Sequence, residues 1–459
     1  MRRAPPSVRL IVAACAAVLL AGAAVARPIV TTEGVLPPGT ELHEDQLDQP
    51  TELFYSELAG GKRSYLLNLG DMLFSSPEIL GGLARQAGVS CATCHQQGHN
   101  NARLFVPGLS ARAGTFDTTN ALFNPKNNNG VFDPVTPPSL RAARFLAPYA
   151  HDGRFATLRE FIRNAIVNEF AGPEPSDQII DALETYIKEI AFLPNDRLAE
   201  GGRLSDKAPD AARRGEAIFN RPFRTDAAMS CASCHKPSSA FVDHQVHDVG
   251  TGGSFKTPTL INAKFNAPYF HDGRFGSYAQ VVTYFDRHFD LGLGESEQRD
   301  LVAYLDAVGD ADEPMTRDTV GLQLDEIAQF ASVLDTAIPE KNVEVIALAT
   351  DAIGNEWREL GERFPGHKDN TIKDGLAERL RAIGATRQQV LTLRRIAMAA
   401  SAGDFDRAAA AYADYRKETV GAAAALEAAE PYSLFNPQVR EAHLRALQQL
   451  TDLASAARP

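Results

Sequence analysis

A five-residue pattern occurs twice in this chain, as Cys91-Ala92-Thr93-Cys94-His95 and as Cys231-Ala232-Ser233-Cys234-His235. A short helical turn with this spacing brings two thiols to one side of a flat macrocycle and sets an imidazole beneath its centre. This is the attachment unit of a c-type haem, in which both cysteines bind the vinyl groups and the histidine ligates iron. A thioredoxin-like thiol pair or half of a zinc site would explain Cys-x-x-Cys. Neither explains a histidine directly after the second cysteine, or the whole pattern twice.

The remaining cysteine is Cys15, inside an N-terminal segment with Arg2, Arg3 and Arg9, an apolar run from Leu10 to Leu20 and the small-residue site Ala24-Val25-Ala26. Residues 1–26 read as a secretory signal peptide cleaved before Arg27, and the apolar run is short for an uncleaved membrane anchor. The mature chain is then expected in the periplasm, without stable membrane insertion. All its cysteines would lie in the two haem motifs, where an exported protein would otherwise use them for disulfides. Losing three arginines takes the formal charge from −12 to about −15, which argues against nucleic acid and for a basic redox partner.

The chain also repeats itself around the motifs. Pro138-Ser139-Leu140 and Pro148-Tyr149-Ala150-His151-Asp152-Gly153-Arg154-Phe155 recur 120 positions later as Pro258-Thr259-Leu260 and Pro268-Tyr269-Phe270-His271-Asp272-Gly273-Arg274-Phe275. The cysteine motifs are 140 apart, so the first unit carries an insertion, placed in the Asn-rich stretch from Asn120 to Gly130. Helical spacing precedes each haem motif, at Leu66, Leu69, Met72 and Leu73 and at Ala211, Ala217 and Ile218. Closing helices are expected over residues 179–190 and 299–308. Residues 195–209, rich in Gly, Asp and Pro, read as the linker.

The expected fold is mostly α: a first cytochrome c-like haem domain over residues 27–205, a second over 206–310, and an Ala-rich helical bundle without cofactor over 311–459. In that tail, Leu324, Ile327, Val333, Leu334 and Ile338 form a core stripe. So do Ile346, Ile353, Trp357 and Leu360, and later Leu444, Leu447, Leu450 and Leu453. His99, His244 and His247, close to the motifs in sequence, read as solvent-facing loop histidines.

Two haem motifs in tandem, each followed by P-x-L and PY-x-HDGRF, resemble the bacterial di-haem cytochrome c peroxidase and MauG superfamily over residues 53–309. The resemblance implies two facing haem domains. One haem cleaves hydrogen peroxide, the other relays an electron, and electrons come from a small periplasmic cytochrome c or cupredoxin. It also implies a calcium ion and a homodimer, although no run of ligands localises the calcium. Oxidation of residues on a partner protein, as by MauG, is the alternative activity. A plain di-haem electron carrier is the alternative outside enzymes.

The sequence departs from the family in three places. Where relatives carry a distal methionine or tyrosine for the second haem, this chain has Phe285. The expected sixth ligand is therefore His288, one helical turn on, with Tyr284 as alternative. Where peroxidases close the first iron with a loop histidine, this chain has Ala111, so that iron is expected to be open. Where relatives carry a tryptophan between the haems, this chain has His151. Glu169 matches the family's distal glutamate, the group that moves the proton of bound peroxide, and its repeat counterpart is Phe289. An ordinary solvated glutamate is the other reading. Arg154 and Arg274 are expected to hold haem propionates or simply to pin their turns.

Overall fold

The computed structural model describes residues 35–42, 50–312, 319–366 and 374–456. The segment read as a signal peptide lies outside them. The first unit contains α1 (Tyr55–Leu58), α2 (Tyr65–Ser75), α3 (Gly82–Gln86), α4 (Cys91–Cys94), α5 (Leu158–Asn164) and α6 (Asp177–Glu189). The second contains α7 (Asp210–Phe219), α8 (Cys231–Cys234), the strands β1 (Val246–Asp248) and β2 (Ser254–Lys256), α9 (Tyr278–His288) and α10 (Glu295–Gly309). The strands form an antiparallel ladder that pairs Val246 with Lys256 and His247 with Phe255.

In each unit the helix before the haem motif crosses the closing helix at a glycine. Ser64 caps α2 by accepting from the Leu67 amide at 3.1 Å, and Leu67, Leu69, Met72, Leu73 and Phe74 are buried along the helix. Gly70 lies so close to α6 that a Cβ would collide with the carbonyl of Ala182. Gly215 of α7 meets the carbonyl of Asp300 in α10 in the same way. Only glycine allows such an approach. The ring pairs beside the crossings match too, with Phe74 and Tyr186 at 4.9 Å and Phe219 and Tyr304 at 4.8 Å. The helix expected before the second haem is present, but its buried face is Ala212, Gly215 and Phe219. Ala217 is exposed, because one residue of phase turns a helix by about 100°.

The units are laced together by reciprocal bonds. The Thr136 amide donates to the His271 carbonyl at 2.7 Å, and the amide of Lys256, its repeat counterpart, donates to the His151 carbonyl at 2.8 Å. Each P-x-L segment thus holds the other unit's HDG turn. Residues 195–209 form a packed strap: Asn195 Nδ2 donates to the Ala307 carbonyl at 2.8 Å, and Arg197 pairs with Asp310 at 2.7 Å. The Asn-rich insertion is a loop, anchored where Asn124 Nδ2 donates to the Asn168 carbonyl at 2.6 Å.

The tail comprises α11 (Val320–Ala337), α12 (Val343–Glu362), α13 (Leu376–Ser401), α14 (Phe405–Ala429) and α15 (Pro437–Ala456). Its core runs on into that of the first unit, whereas the second unit has its own. Asn68 of α2 donates to Ser332 at 3.1 Å, Arg63 to Gln329, and Asn342 to Gln178 of α6 at 2.9 Å. Ile327, Val333, Leu334, Ile338, Ile346, Ile353 and Leu360 are buried as expected. Buried Trp357 donates to the Tyr415 hydroxyl at 2.9 Å. Leu444 departs from the expected core stripe, being 58% exposed; the side chains of Leu447, Leu450 and Leu453 lie outside those described. No helix among the described residues is long and apolar enough to cross a membrane.

Candidate di-haem site

Each cysteine motif folds into one turn of helix, started by a serine whose amide is held by the third residue of the turn: Ser90 by Thr93 Oγ1 at 3.0 Å and Ser230 by Ser233 Oγ at 2.9 Å. The turn ends at the histidine. His95 Nδ1 lies 3.0 Å from the Pro138 carbonyl and His235 Nδ1 lies 3.2 Å from the Phe241 carbonyl. A carbonyl at Nδ1 fixes that nitrogen as the protonated one and leaves Nε2 as a lone-pair donor, as a haem ligand requires. Burial holds both imidazoles neutral, pushing His95 down to about 4 and lowering His235. Burial likewise raises the thiols of Cys91, to about 12, and Cys231, to about 11. The four cysteines of the motifs are not in disulfides.

Above the second of these turns lies a cavity of about 370 Å³, partly open to solvent and lined from both units, by Pro138, Leu140 and His151 on one side and Cys231, Cys234, His235, Leu260 and His271 on the other. Its walls are mainly apolar, the chemistry a porphyrin face needs. Neutral imidazoles with free Nε2 and paired thiols fit haem in both units, and the apolar vault fits it in the second.

His151 lies between the units. Its Nε2 donates to the Thr136 carbonyl at 2.7 Å, and its burial holds the imidazole down to about 4, with the charge of His271 adding to the effect. His271 stacks on Phe255 at 3.7 Å. Lys256 comes from the second unit into the same region, donating Nζ to the carbonyls of Leu146, at 2.5 Å, and Pro148, at 2.8 Å. Burial lowers that ammonium to about 8.

Glu169 ends a π-helical turn, Ala165–Glu169, that follows α5. Such widened turns often place functional side chains. The side chain is buried and accepts from Asn164 Nδ2 at 2.9 Å. It is not among the cavity-lining residues, yet it is near enough to Cys91 for its charge to raise that thiol. Burial pushes the carboxyl up to about 7, against the opposing pull of Arg154. Phe289, its repeat counterpart, lines the cavity in the second unit.

The structure does not bring His288 to the haem site. Phe285 and Phe289, four residues apart, line the cavity. His288 is exposed and stacks on Tyr284 at 5.8 Å, on the neighbouring face of α9. The Tyr284 hydroxyl is committed to the Val249 carbonyl at 2.6 Å. One turn is a little more than three residues, so the step from Phe285 to His288 falls short by about 60°.

His99 also departs from the sequence reading. It is fully buried, with Nδ1 3.3 Å from Asn266 Oδ1 and Nε2 accepting from Arg141 Nε at 2.7 Å. His244 is exposed and His247 half-buried, its Nε2 2.7 Å from Asp243 Oδ2. Arg141, which the sequence reading passed over, is buried and also donates to the carbonyls of Ala191, Pro50, Thr51 and Gln97. It binds the segment after the first haem motif to the closing helix. Its position directly after P-x-L was the available signal. Arg154 and Arg274 each pair with the aspartate of their own HDGR turn, at 3.1 and 2.8 Å. Among the described residues the one compact trio of metal-ligating side chains is Cys234, Asp243 and His247, which includes a haem-motif thiol.

Compared with known proteins, residues 65–192 and 210–354 match the di-haem cytochrome c peroxidase family. The chain belongs to that family. It is therefore an oxidoreductase with haem c cofactors, and the match continues beyond Gly309 through α11 and into α12, where the sequence resemblance stopped. Methylamine utilization protein MauG of Methylorubrum extorquens is 27% identical over 301 residues, 52% of this chain and 77% of that protein. Cytochrome-c peroxidase IdrP1 of a Pseudomonas species is 36% identical over 192 residues, covering 29% of this chain and 48% of its own length. A solved hydrazine synthase chain from Kuenenia stuttgartiensis aligns with a TM-score of 0.40 and 21% identity, over 57% of this chain and 93% of that one.

Proposed function

We propose that this chain is an exported di-haem peroxidase that reduces hydrogen peroxide to water with electrons from a small redox protein. Cys91, Cys94 and His95 would hold one haem, and Cys231, Cys234 and His235 the other. When bound, the haems supply one iron at which the O–O bond of peroxide breaks and a second that stores and relays an electron. Glu169 takes the proton from the near oxygen of peroxide and delivers it to the departing one. His151, neutral and bridging the units, lies on the route between the haems. Arg154 and Arg274, already fixed by their aspartates, have further N–H groups for propionates.

The observation that carries this reading is the enclosed carboxyl of Glu169, held near the first haem turn with a phenyl ring at the matching place in the second unit. Glu169→Gln is expected to lower peroxide turnover by roughly 10²- to 10⁴-fold with both haem spectra intact. In the unaltered protein kcat/KM should rise with pH and level off above about 7, since the carboxyl must be ionised to accept a proton. Unchanged turnover, or a variant with the same acid limb, would remove Glu169 from the reaction.

The fuller coverage of the MauG relative supports a second reading, oxidation of residues on a partner protein. Peroxide-driven change of the haem spectrum without turnover of small donor proteins would favour it.

A further inference from the structure

Behind each haem-ligating histidine lies the same pair of rings. Phe74 stands 6.4 Å from His95 and 4.9 Å from Tyr186, and Phe219 stands 6.4 Å from His235 and 4.8 Å from Tyr304. The two relays differ at their far ends. The Tyr304 hydroxyl is buried and, among the described residues, meets no hydrogen-bond partner. The Tyr186 hydroxyl donates to Oε1 of Glu52 at 2.5 Å, a short, charge-assisted bond. A phenol that gives up an electron must also release its proton, and in an apolar surrounding it does so only if a base is already in contact. Tyr186 has that base and Tyr304 does not.

We propose that Tyr186 is a redox-active side chain serving the first haem, with Glu52 as the acceptor of its proton. The inference rests on the peroxidase reading, because the oxidant is the first haem after it has reduced peroxide to water. One electron leaves the Tyr186 ring for that oxidised haem by way of Phe74 and His95. The phenolic O–H bond breaks and an O–H bond forms on Glu52 Oε1, so the products are a neutral tyrosyl radical and a neutral carboxyl. One electron from the donor protein, with return of the proton, restores both. Glu52 suits the task because burial, and then the charge of Asp71, push it up to about 7, so that it exchanges a proton near neutrality. Arg63 and Arg141 oppose that rise. Arg63 in turn bonds Asp71 and Gln329 of α11, so the relay leads from the haem towards the tail.

The test is electron paramagnetic resonance on holoprotein frozen shortly after mixing with hydrogen peroxide, with haem absorbance followed in parallel. A tyrosyl signal is expected, narrowed when the protein is grown on ring-deuterated tyrosine. It should be lost in Tyr186→Phe and in Glu52→Gln and kept in Tyr304→Phe, while the haem absorbance of all three variants still responds to peroxide. A responding haem without a tyrosyl signal, or a signal that survives either of the first two substitutions, overturns this proposal alone. A haem that does not respond to peroxide overturns it together with the peroxidase reading.

Discussion

The two haem units share a frame and differ in what they attach to it. Both have a glycine crossing, a phenylalanine and tyrosine pair behind the ligating histidine, and an HDGR turn closed by its own aspartate. The first places the buried Glu169 near its haem turn, joins its tyrosine to a glutamate, and braces the segment after the motif with a buried arginine, whereas the second sets Asp243, paired with His247, beside Cys234. In the second the corresponding positions hold Phe289, Tyr304, whose hydroxyl meets no hydrogen-bond partner among the described residues, and Ile261. A repeated scaffold costs nothing new to fold, so divergence concentrates in side chains that hold or move protons. Under the proposed function, the first unit takes the proton-coupled chemistry and the second passes electrons.

Removing one haem at a time tests that division most severely. Replacing Cys91 and Cys94 by serine is expected to leave one haem that resists acid-acetone extraction and to abolish the absorbance change on adding peroxide. Replacing Cys231 and Cys234 is expected to leave one haem as well, keep the peroxide response and lose turnover with donor proteins. Identical behaviour of the two variants would erase the distinction between the units.

Local order made much of this legible in the sequence. The two pentapeptides, the repeated P-x-L and HDGRF segments and the closing helices are each written within a few consecutive residues, and the structure places them as expected. What the sequence hid depends on distant partners or on helical phase. His99 is surrounded in sequence by polar residues, but Arg141 and Asn266, from 42 and 167 positions away, enclose it. His288 failed by a fraction of a turn. The reciprocal bonds of Thr136 and Lys256 cross between the repeats, so no single repeat announces them. The tail read as a separate bundle because composition changes at residue 311, yet its first helices continue the core of the first unit.

Arg141 offers the next contrast. Substitution by methionine strands His99 and four carbonyl oxygens and takes a positive charge from near Glu52. Breaking a buried charged network of this kind costs about 3–5 kcal/mol. Ile261→Val, at the equivalent place in the second unit, should cost only about 1 kcal/mol. Denaturant unfolding of the holoprotein, followed by circular dichroism, measures both. A cost for Arg141→Met no larger than that for Ile261→Val would show that the first unit does not depend on the clamp.

The glycine crossings supply the finest comparison, because there the units are most alike. Gly70→Ala and Gly215→Ala each force a Cβ into a carbonyl of the partner helix, and the helices must part. Overpacking of this sort costs about 1–3 kcal/mol, with the value set by how far the helices can give. The helix carrying Gly70 is held on its other side by the tail, through Asn68 to Ser332 and Arg63 to Gln329. The helix carrying Gly215 is tied through Arg214 to Asp300 of the closing helix itself, at 2.7 and 2.8 Å, and, among the described residues, not to the tail, so it is freer to shift on its other side. Gly70→Ala should therefore lie near the top of that range and Gly215→Ala near the bottom, as read from the same unfolding curves. Equal costs would mean that the tail rests against the first unit without stiffening it.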